Sequence, residues 1–437
     1  MAMVVKNNLQ AKNTLNQLEK NEKAKGKNLK ALASGMKINS AGDDASGLSI
    51  SERMEVQIRG LDQDNDNAQT GANMLKTAEG AVSSTVDILR TLKEKAINAA
   101  NDTNTDADRA TIQKEFDQAI DQIDENANMT YNGQALVDGS KEHAVPQPGT
   151  RTSMTNESLS PGTKFFTRLT ELKDGDGNSL QIDPTDTITV SYVMNGKTYT
   201  GSTQVGTNMR LSTIFDNTAG KSDLTLRSPL DDTVGTNEFG EVVKNPSGKV
   251  ALTVMSQHAG VEGQISGLTI SFQDKYGNAK RRANALFDNF SETVRAKDPS
   301  DDNALTFQVG TKANQSVKLG LTDMRATALG LRSSDGTTVS VSSQPDANAA
   351  INVIDTALKR ALDQQTDLGS VQSRLGYTSA NIVTASENTQ SAESTIRDAN
   401  MAQEMTAYTK NNVLSQAAQS MLAQANQNSS AVLSLLQ

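Results

Sequence analysis

Apolar side chains recur at every seventh position along both ends of this chain and lose that order in between. In the N-terminal part the series is Met54, Leu61, Ala68, Leu75, Val82, Leu89 and Ala96, with Ile58, Ala72 and Val86 on the adjoining stripe. In the C-terminal part Ile354, Ala361, Leu368, Leu375, Ile382 and Ile396 keep the same period, interrupted by Thr389, with Ala357, Val371, Ala385, Ala392 and Ala399 alongside. A seven-residue repeat held over several heptads turns one helical stripe toward a partner helix. The two stripes are similar in length and rich in alanine, so they are expected to pack together. A further helix is expected from Ala110 to Asn126, where Ile112, Phe116, Ile120 and Ile123 share a face and Asp106 or Asp108 is placed to cap the first turn.

Proline marks the boundaries, because its ring clashes with the preceding helical turn and it has no amide donor. All eight prolines lie between Pro146 and Pro345. The segment Asn39 to Gly47 also breaks the helical pattern with small, cap-forming residues, splitting each end into an outer and an inner piece. In the middle, Thr187 to Met194, then Asn195-Gly196, then Lys197 to Thr200 predicts a hairpin, since Asn-Gly supplies the positive φ angles of a tight turn. Val250 to Met255 and Ser266 to Phe272 read as further strands, and residues 304–331 as a β pair leading back to the helices. The expected class is α+β multidomain: mainly α ends forming a long coiled-coil-like bundle, with an inserted β-rich central domain. The expected division is 1–44 with 401–437, 45–145 with 299–400, and a surface-exposed insert at 146–298.

Composition narrows the function. Only 3% of the 437 residues are aromatic, none is tryptophan, and 35% are apolar, so cores must be built from Ala, Leu, Ile, Val and Met. Such residues suit helices packed closely on helices. A net charge of -9 leaves no basic surplus to displace counterions from phosphates, which argues against nucleic acid as a partner. The absence of cysteine excludes disulfides and thiolate chemistry. The N-terminus has no apolar core long enough for a cleaved secretory signal, and no stretch approaches the ~20 apolar residues of a membrane span.

Candidate chemistry is sparse. His143 and His258 stand far apart with no HExxH pattern, so no metal site is expected. Asp174, Asp176 and Asn178 resemble the start of a calcium loop, but Ser179 replaces its glycine and Thr185 its final glutamate, which leaves an acidic turn. No phosphate loop, nucleophile elbow or dinucleotide fingerprint is present, and no cofactor or catalytic residue is assigned. Lys20, Lys23, Lys25, Lys27 and Lys30 alternate with Glu19 and Glu22 as a solvated helix face does. The apolar ending from Ala431 to Leu436 is different in kind. A lone subunit gains nothing by exposing large apolar groups where chains fray, so a neighbouring copy or a partner is expected to cover them.

At this point the residues carry a family resemblance. The run from Leu32 to Leu48, LASGMKINSAGDDASGL, resembles the signature near the start of bacterial flagellins, and Met421 to Gln427 with Val432 to Leu436 resembles their ending. Leu305 to Gly310 and Ala328 to Leu331 are similar to the β segment of flagellins that re-enters the inner helical part. The resemblance covers roughly residues 1–140 and 300–437 and implies a non-enzymatic, extracellular flagellar filament subunit that serves motility. On it, Leu29, Leu32, Met36, Val413, Leu414, Met421, Leu422, Val432, Leu433, Leu435 and Leu436 are the expected polymerisation residues. It also implies export by the flagellar secretion apparatus, an export chaperone, cap and hook-associated partners, and self-assembly without membrane insertion. Contact with the animal Toll-like receptor that recognises flagellins would involve Leu89, Thr91, Leu92, Glu94, Lys95 and Glu115. In strongly activating members the pattern has arginine in place of Thr91 and leucine in place of Lys95, so weaker engagement is expected here. The alternatives are a hook–filament junction protein, an enzyme displayed on a filament, and an adhesive insert.

Overall fold

The structure, a computed structural model, describes residues 8–218, 223–227, 233–245 and 251–434, with side chains on the last helix described as far as Gln427. The helices in chain order are α1 (Leu9–Ser34), α2 (Ala45–Ala99), α3 (Asp106–Ala127), α4 (Ile214–Asn217), α5 (Arg281–Phe287), α6 (Ala326–Leu329), α7 (Gln344–Arg397) and α8 (Met401–Ser434). By its internal contacts the chain forms two compact units. One comprises Met1–Ala68, Gln308–Gln315 and Tyr377–Gln437, and the other Gln69–Phe307 and Ser316–Gly376.

In the first unit α1 lies along α8. The Asn8 side chain starts α1 by accepting the amide hydrogen of Ala11 at 2.9 Å, satisfying one of the donors that a helix N-terminus leaves open. The two chain ends meet again where Lys37 N donates to Arg397 O at 2.7 Å and Ala399 N donates to Gly35 O at 2.9 Å. The Arg397 guanidinium clamps this crossing to α2 through Glu52 at 3.2 Å and Glu55 at 3.0 Å. As expected for a break in the helical pattern, Asn39 to Asp44 is a loop, and Asp44 Oδ1 caps α2 by accepting Gly47 N at 3.0 Å. Farther along, Ser379 donates to Asn65 at 2.6 Å and Ser386 to Asp62 at 3.0 Å.

Most of the heptad series is buried, namely Leu61, Ala68, Leu75, Val82, Leu89 and Ala96 with Ile354, Ala361, Leu368, Leu375 and Ile382, while its outer members Met54 and Ile396 are half-buried. Its companion stripe is only partly enclosed, with Val86 and Ala357 buried as expected. Ile58 and Ala72 stay half-buried, whereas the enclosed second row of α2 runs through Asp64, Gly71, Ala78, Thr85, Leu92 and Ala99. Aspartate, glycine and threonine at half of its positions break the hydrophobic signal of this row, which is why an apolar pattern missed it. Each member still fits. Thr85 donates its hydroxyl to Ala81 O at 3.1 Å within its own helix, and a Cβ on Gly71 would meet the Phe307 ring at 2.8 Å.

In α3, Phe116, Ile120 and Ile123 are fully buried as their spacing predicts. The cap is a correction: Thr105, not Asp106 or Asp108, is the N-cap, and Asp108 accepts the Thr105 amide at 2.9 Å in a reciprocal capping box. Arg109 is buried and donates to Ala99 O at 2.9 Å and Asn101 O at 3.2 Å, closing the carbonyl end of α2.

The strands of the second unit begin with a two-residue pair, β1 (Thr130–Tyr131) and β2 (Gln134–Ala135). A four-stranded antiparallel sheet is ordered β11 (Ser291–Val294), β3 (Ser153–Asn156), β9 (Leu252–Ser256), β6 (Leu224–Arg227). A three-stranded sheet is ordered β10 (Ile265–Gln273), β4 (Thr187–Met194), β5 (Lys197–Gln204). β7 (Thr233–Thr236) pairs with β8 (Val242–Lys244), and β12 (Leu305–Gln308) with β13 (Ser316–Leu319). The expected hairpin is present, with Asn195 and Gly196 at φ 49° and 67° and Met194 opposite Lys197. Its core gathers Ile188, Val190, Tyr192, Ile270, Phe272 and Phe287, with Tyr192 stacked on Tyr199 at 5.1 Å. Val250 lies outside the described residues. The molecule is thus α+β: long helices at both ends and several small sheets between them.

Candidate functional site

The α1–α8 pair inverts the usual arrangement of an amphipathic helix pair. Its enclosed residues are small or polar: Asn21, Ala31, Ser415, Ala418 and Ala425. Polar groups bridge the two helices. Asn28 donates to Glu404 at 2.5 Å, Asn411 donates to Asn28 at 2.9 Å, Ser415 donates to Glu22 at 2.6 Å, and Asn8 donates to Ala425 O at 3.1 Å. Most of the large apolar side chains stay in solvent. Leu29 is 52% exposed, Val413 57%, Leu414 41% and Met421 62%, and Leu9, Leu15, Met401 and Met405 are exposed as well. A monomer gains no burial energy from such a surface, at roughly 25 cal/mol for each Å² that could be removed from water. A second subunit would.

Of the other residues assigned to polymerisation, Leu32, Met36 and Leu422 are half-buried. Val432 and Leu433 fall on the last turn of α8, where only the backbone is described, and Leu435 and Leu436 lie outside the described residues. Beside α1, Lys27 Nζ sits 3.2 Å from Asp43 and, with the Ser40 hydroxyl, holds that carboxyl below its usual range. Asp64 behaves oppositely. It is 5% exposed, its Oδ2 has no hydrogen-bond partner, and burial pushes its pKa up.

In the second unit, Thr91 and Glu94 are exposed, and the Lys95 ammonium pairs with the Glu115 carboxylate across α2 and α3. Leu89 and Leu92 are buried in the seam at 0% and 1% exposure, so they are not accessible to a partner. The pairing of Lys95 with Glu115 was not legible in the sequence, because it joins positions on different helices.

The remaining candidate chemistry resolves into structure. Asp174 Oδ1 accepts the amides of Asp176 at 3.1 Å and Asn178 at 2.8 Å, and Oδ2 accepts from Arg282 at 2.7 Å, so the calcium-like residues build a turn. His143 accepts the Gly320 amide at 3.0 Å through Nε2. Among the described residues no group of His, Asp and Glu is arranged to hold a metal ion, and no helix is long and apolar enough to cross a membrane.

Long helices from both ends, a polar seam between the terminal pair and apolar side chains turned outward define a self-assembling structural subunit. The bacterial flagellin N-terminal helical region matches residues 5–142, and the bacterial flagellin C-terminal helical region matches residues 351–436. The chain is 34% identical over 426 residues to a flagellin of Clostridium tyrobutyricum, spanning 97% of this chain and 99% of that one. It is 28% identical over 454 residues to a flagellin of Bacillus subtilis (strain 168), spanning 99% and 100%. It is 29% identical over 438 residues to flagellin C of Vibrio cholerae, spanning 100% of both. This chain belongs to the bacterial flagellin family. As such it is a structural protein rather than an enzyme, and it polymerises into the extracellular flagellar filament that serves motility.

Proposed function

We propose that the outward apolar side chains of α1 and α8 are the surface through which subunits join, with Leu29, Val413, Leu414 and Met421 as its exposed anchors. Leu32, Met36 and Leu422 complete it from half-buried positions, and Val432, Leu433, Leu435 and Leu436 extend it to the C-terminus. The observation that carries this reading is the inverted pair: polar contacts such as Ser415 to Glu22 hold the two helices together, while Leu414 and Met421 face solvent. Residues 1–44 with 401–437 then form the filament core, 45–145 with 299–400 pack around it, and 146–298 is displayed outside. Each of Leu29→Asp and Leu414→Asp should abolish elongation of filament seeds, seen by electron microscopy, and leave the monomer's thermal unfolding unchanged. Normal elongation by both variants would overturn the assignment.

The apolar ending also suits an export chaperone, which would keep α8 from assembling early. Delivery without a cleaved signal, through the flagellar secretion apparatus to a growing tip under a cap and beyond hook-associated proteins, accords with membership of the flagellin family. The accessible patch of Thr91, Glu94, Lys95 and Glu115 is where the animal Toll-like receptor for flagellins would bind. The Lys95 ion pair occupies the Glu115 carboxylate, which supports weak engagement.

A further inference from the structure

With no cysteine and no tryptophan among 437 residues, methionine is the side chain of this protein most open to mild two-electron oxidants. The chain has fourteen methionines, and the described ones range from buried through half-buried to exposed. Met154, Met194, Met209 and Met324 are between 1% and 8% exposed. The exposed ones are Met129 and, on α8, Met401 at 47%, Met405 at 56% and Met421 at 62%. Among the described residues three of the four exposed thioethers therefore stand on one helix of the pair assigned above to subunit joining, while Met36, Met54, Met74 and Met255 are half-buried.

We propose that Met401, Met405 and Met421 form an oxidation-sensitive modification site: peroxide converts them to sulfoxides in the free subunit, and the modified subunit no longer assembles. This rests on the reading of α8 as an assembly surface. In the reaction a sulfur lone pair attacks one peroxide oxygen, the O–O bond breaks, an S–O bond forms, and water leaves after proton transfer. Sulfur is oxidised by two electrons and the peroxide is reduced by two. The product is a polar, hydrogen-bond-accepting group where an apolar one stood. Enclosed between subunits without a donor, that oxygen opposes association.

The fold of the free subunit tolerates the change. The α1–α8 contact is made by Asn21, Ala31, Ser415, Ala418 and Ala425 together with the polar bridges, none of which is a methionine, and the four buried methionines are shielded. Burial of α8 in the filament should likewise shield its three thioethers, so a subunit is vulnerable before assembly and protected after it.

The test compares full-length monomer and preformed filament exposed to hydrogen peroxide, quenched with catalase and mapped by peptide mass spectrometry. Oxygen addition at Met401, Met405 and Met421 should be several-fold faster in monomer than in filament. Oxidised monomer should elongate seeds about tenfold more slowly or worse, with its circular dichroism unchanged. Reduction by methionine sulfoxide reductases should restore elongation. Whatever rate the variant M401L/M405L/M421L shows untreated, peroxide should lower it far less than it lowers the wild-type rate. The proposal is overturned by full-rate elongation of the oxidised wild type, by failure of the reductases to restore it, or by equal loss of elongation in the leucine variant. If the leucine variant does not assemble untreated, the reductase result alone decides. The assembly reading itself fails separately, in untreated protein, if Leu29→Asp and Leu414→Asp elongate normally.

Discussion

Gly267 on β10 lies directly against the backbone of Val353 on α7: a Cβ at residue 267 would stand 3.0 Å from Val353 N and 3.1 Å from Ala349 O. Asn352 reinforces the contact by donating to Thr269 Oγ1 at 3.0 Å. The β-rich segment is therefore seated on this part of α7 by a backbone approach that only glycine permits. Gly267→Ala should destabilise the monomer by about 1–3 kcal/mol, because backbone rather than a flexible side chain must give way. Urea unfolding would show it as a lowered midpoint with an unchanged slope.

The same contact bears on removal of the insert. Deleting residues 150–295 uncovers Ala349 and Val353, which are 0% exposed in the intact chain. The shortened protein is expected to form filaments, since α1 and α8 are untouched, but its monomer should bind a hydrophobic dye more strongly than the parent. Electron microscopy and dye fluorescence measure the two outcomes separately.

Arg360 and Arg295 should respond oppositely to the same substitution. Arg360 is 4% exposed, donates to Ala328 O at 2.9 Å and holds Glu292 through two nitrogens. Arg360→Met leaves that carboxylate unpaired and should cost about 3–5 kcal/mol. Arg295 is half-buried, among the described residues no acceptor is hydrogen-bonded to its guanidinium, and burial followed by the charge of Arg360 pushes its pKa down to about 10 against the opposing pull of Glu292, Glu142 and Asp323. Arg295→Met should be neutral or stabilising in thermal unfolding, since it removes a cation that the fold disfavours.

Asp64 sets a pH dependence. Burial raises its carboxyl pKa above the ordinary 3.8, so the folded chain holds this proton at pH values where the unfolded chain has released it. The contribution of Asp64 to stability therefore falls as pH rises from about 4 through its folded-state pKa, and the penalty then stays constant. Asp64→Asn should be more stable than the parent at pH 7, with the difference shrinking toward pH 4. Unfolding midpoints across that range would test it, and a constant difference would remove Asp64 from the account.

Thr91→Arg with Lys95→Leu should strengthen the response of reporter cells carrying the flagellin receptor. The second change releases Glu115 from its ion pair, and the first supplies a multi-donor fork where a threonine now donates to Asp87 O at 3.1 Å. An unchanged dose response would take these positions out of the receptor surface.

The amino-acid sequence by itself determined the helices, the main seam and the hairpin at Asn195-Gly196, because a helix face or a two-residue turn depends only on neighbours a few positions apart. Leu61, Leu75, Leu89 and Leu368 announce their burial by spacing alone. Tertiary structure decided the rest. Asp64, Gly71 and Thr85 occupy the second row of the seam with no apolar signal, since what qualifies them is the shape and hydrogen bonding of what they face. Arg360 finds Glu292 across 68 positions, and Lys95 finds Glu115 across 20, pairings that exist only once the elements are placed in space. The direction in which α1 and α8 turn their leucines and methionines was also beyond local pattern, because the weak, mixed periodicity of both helices leaves open which side faces the partner helix. Polar bridges such as Ser415 to Glu22 settle it, and they leave Leu29, Leu414 and Met421 in solvent.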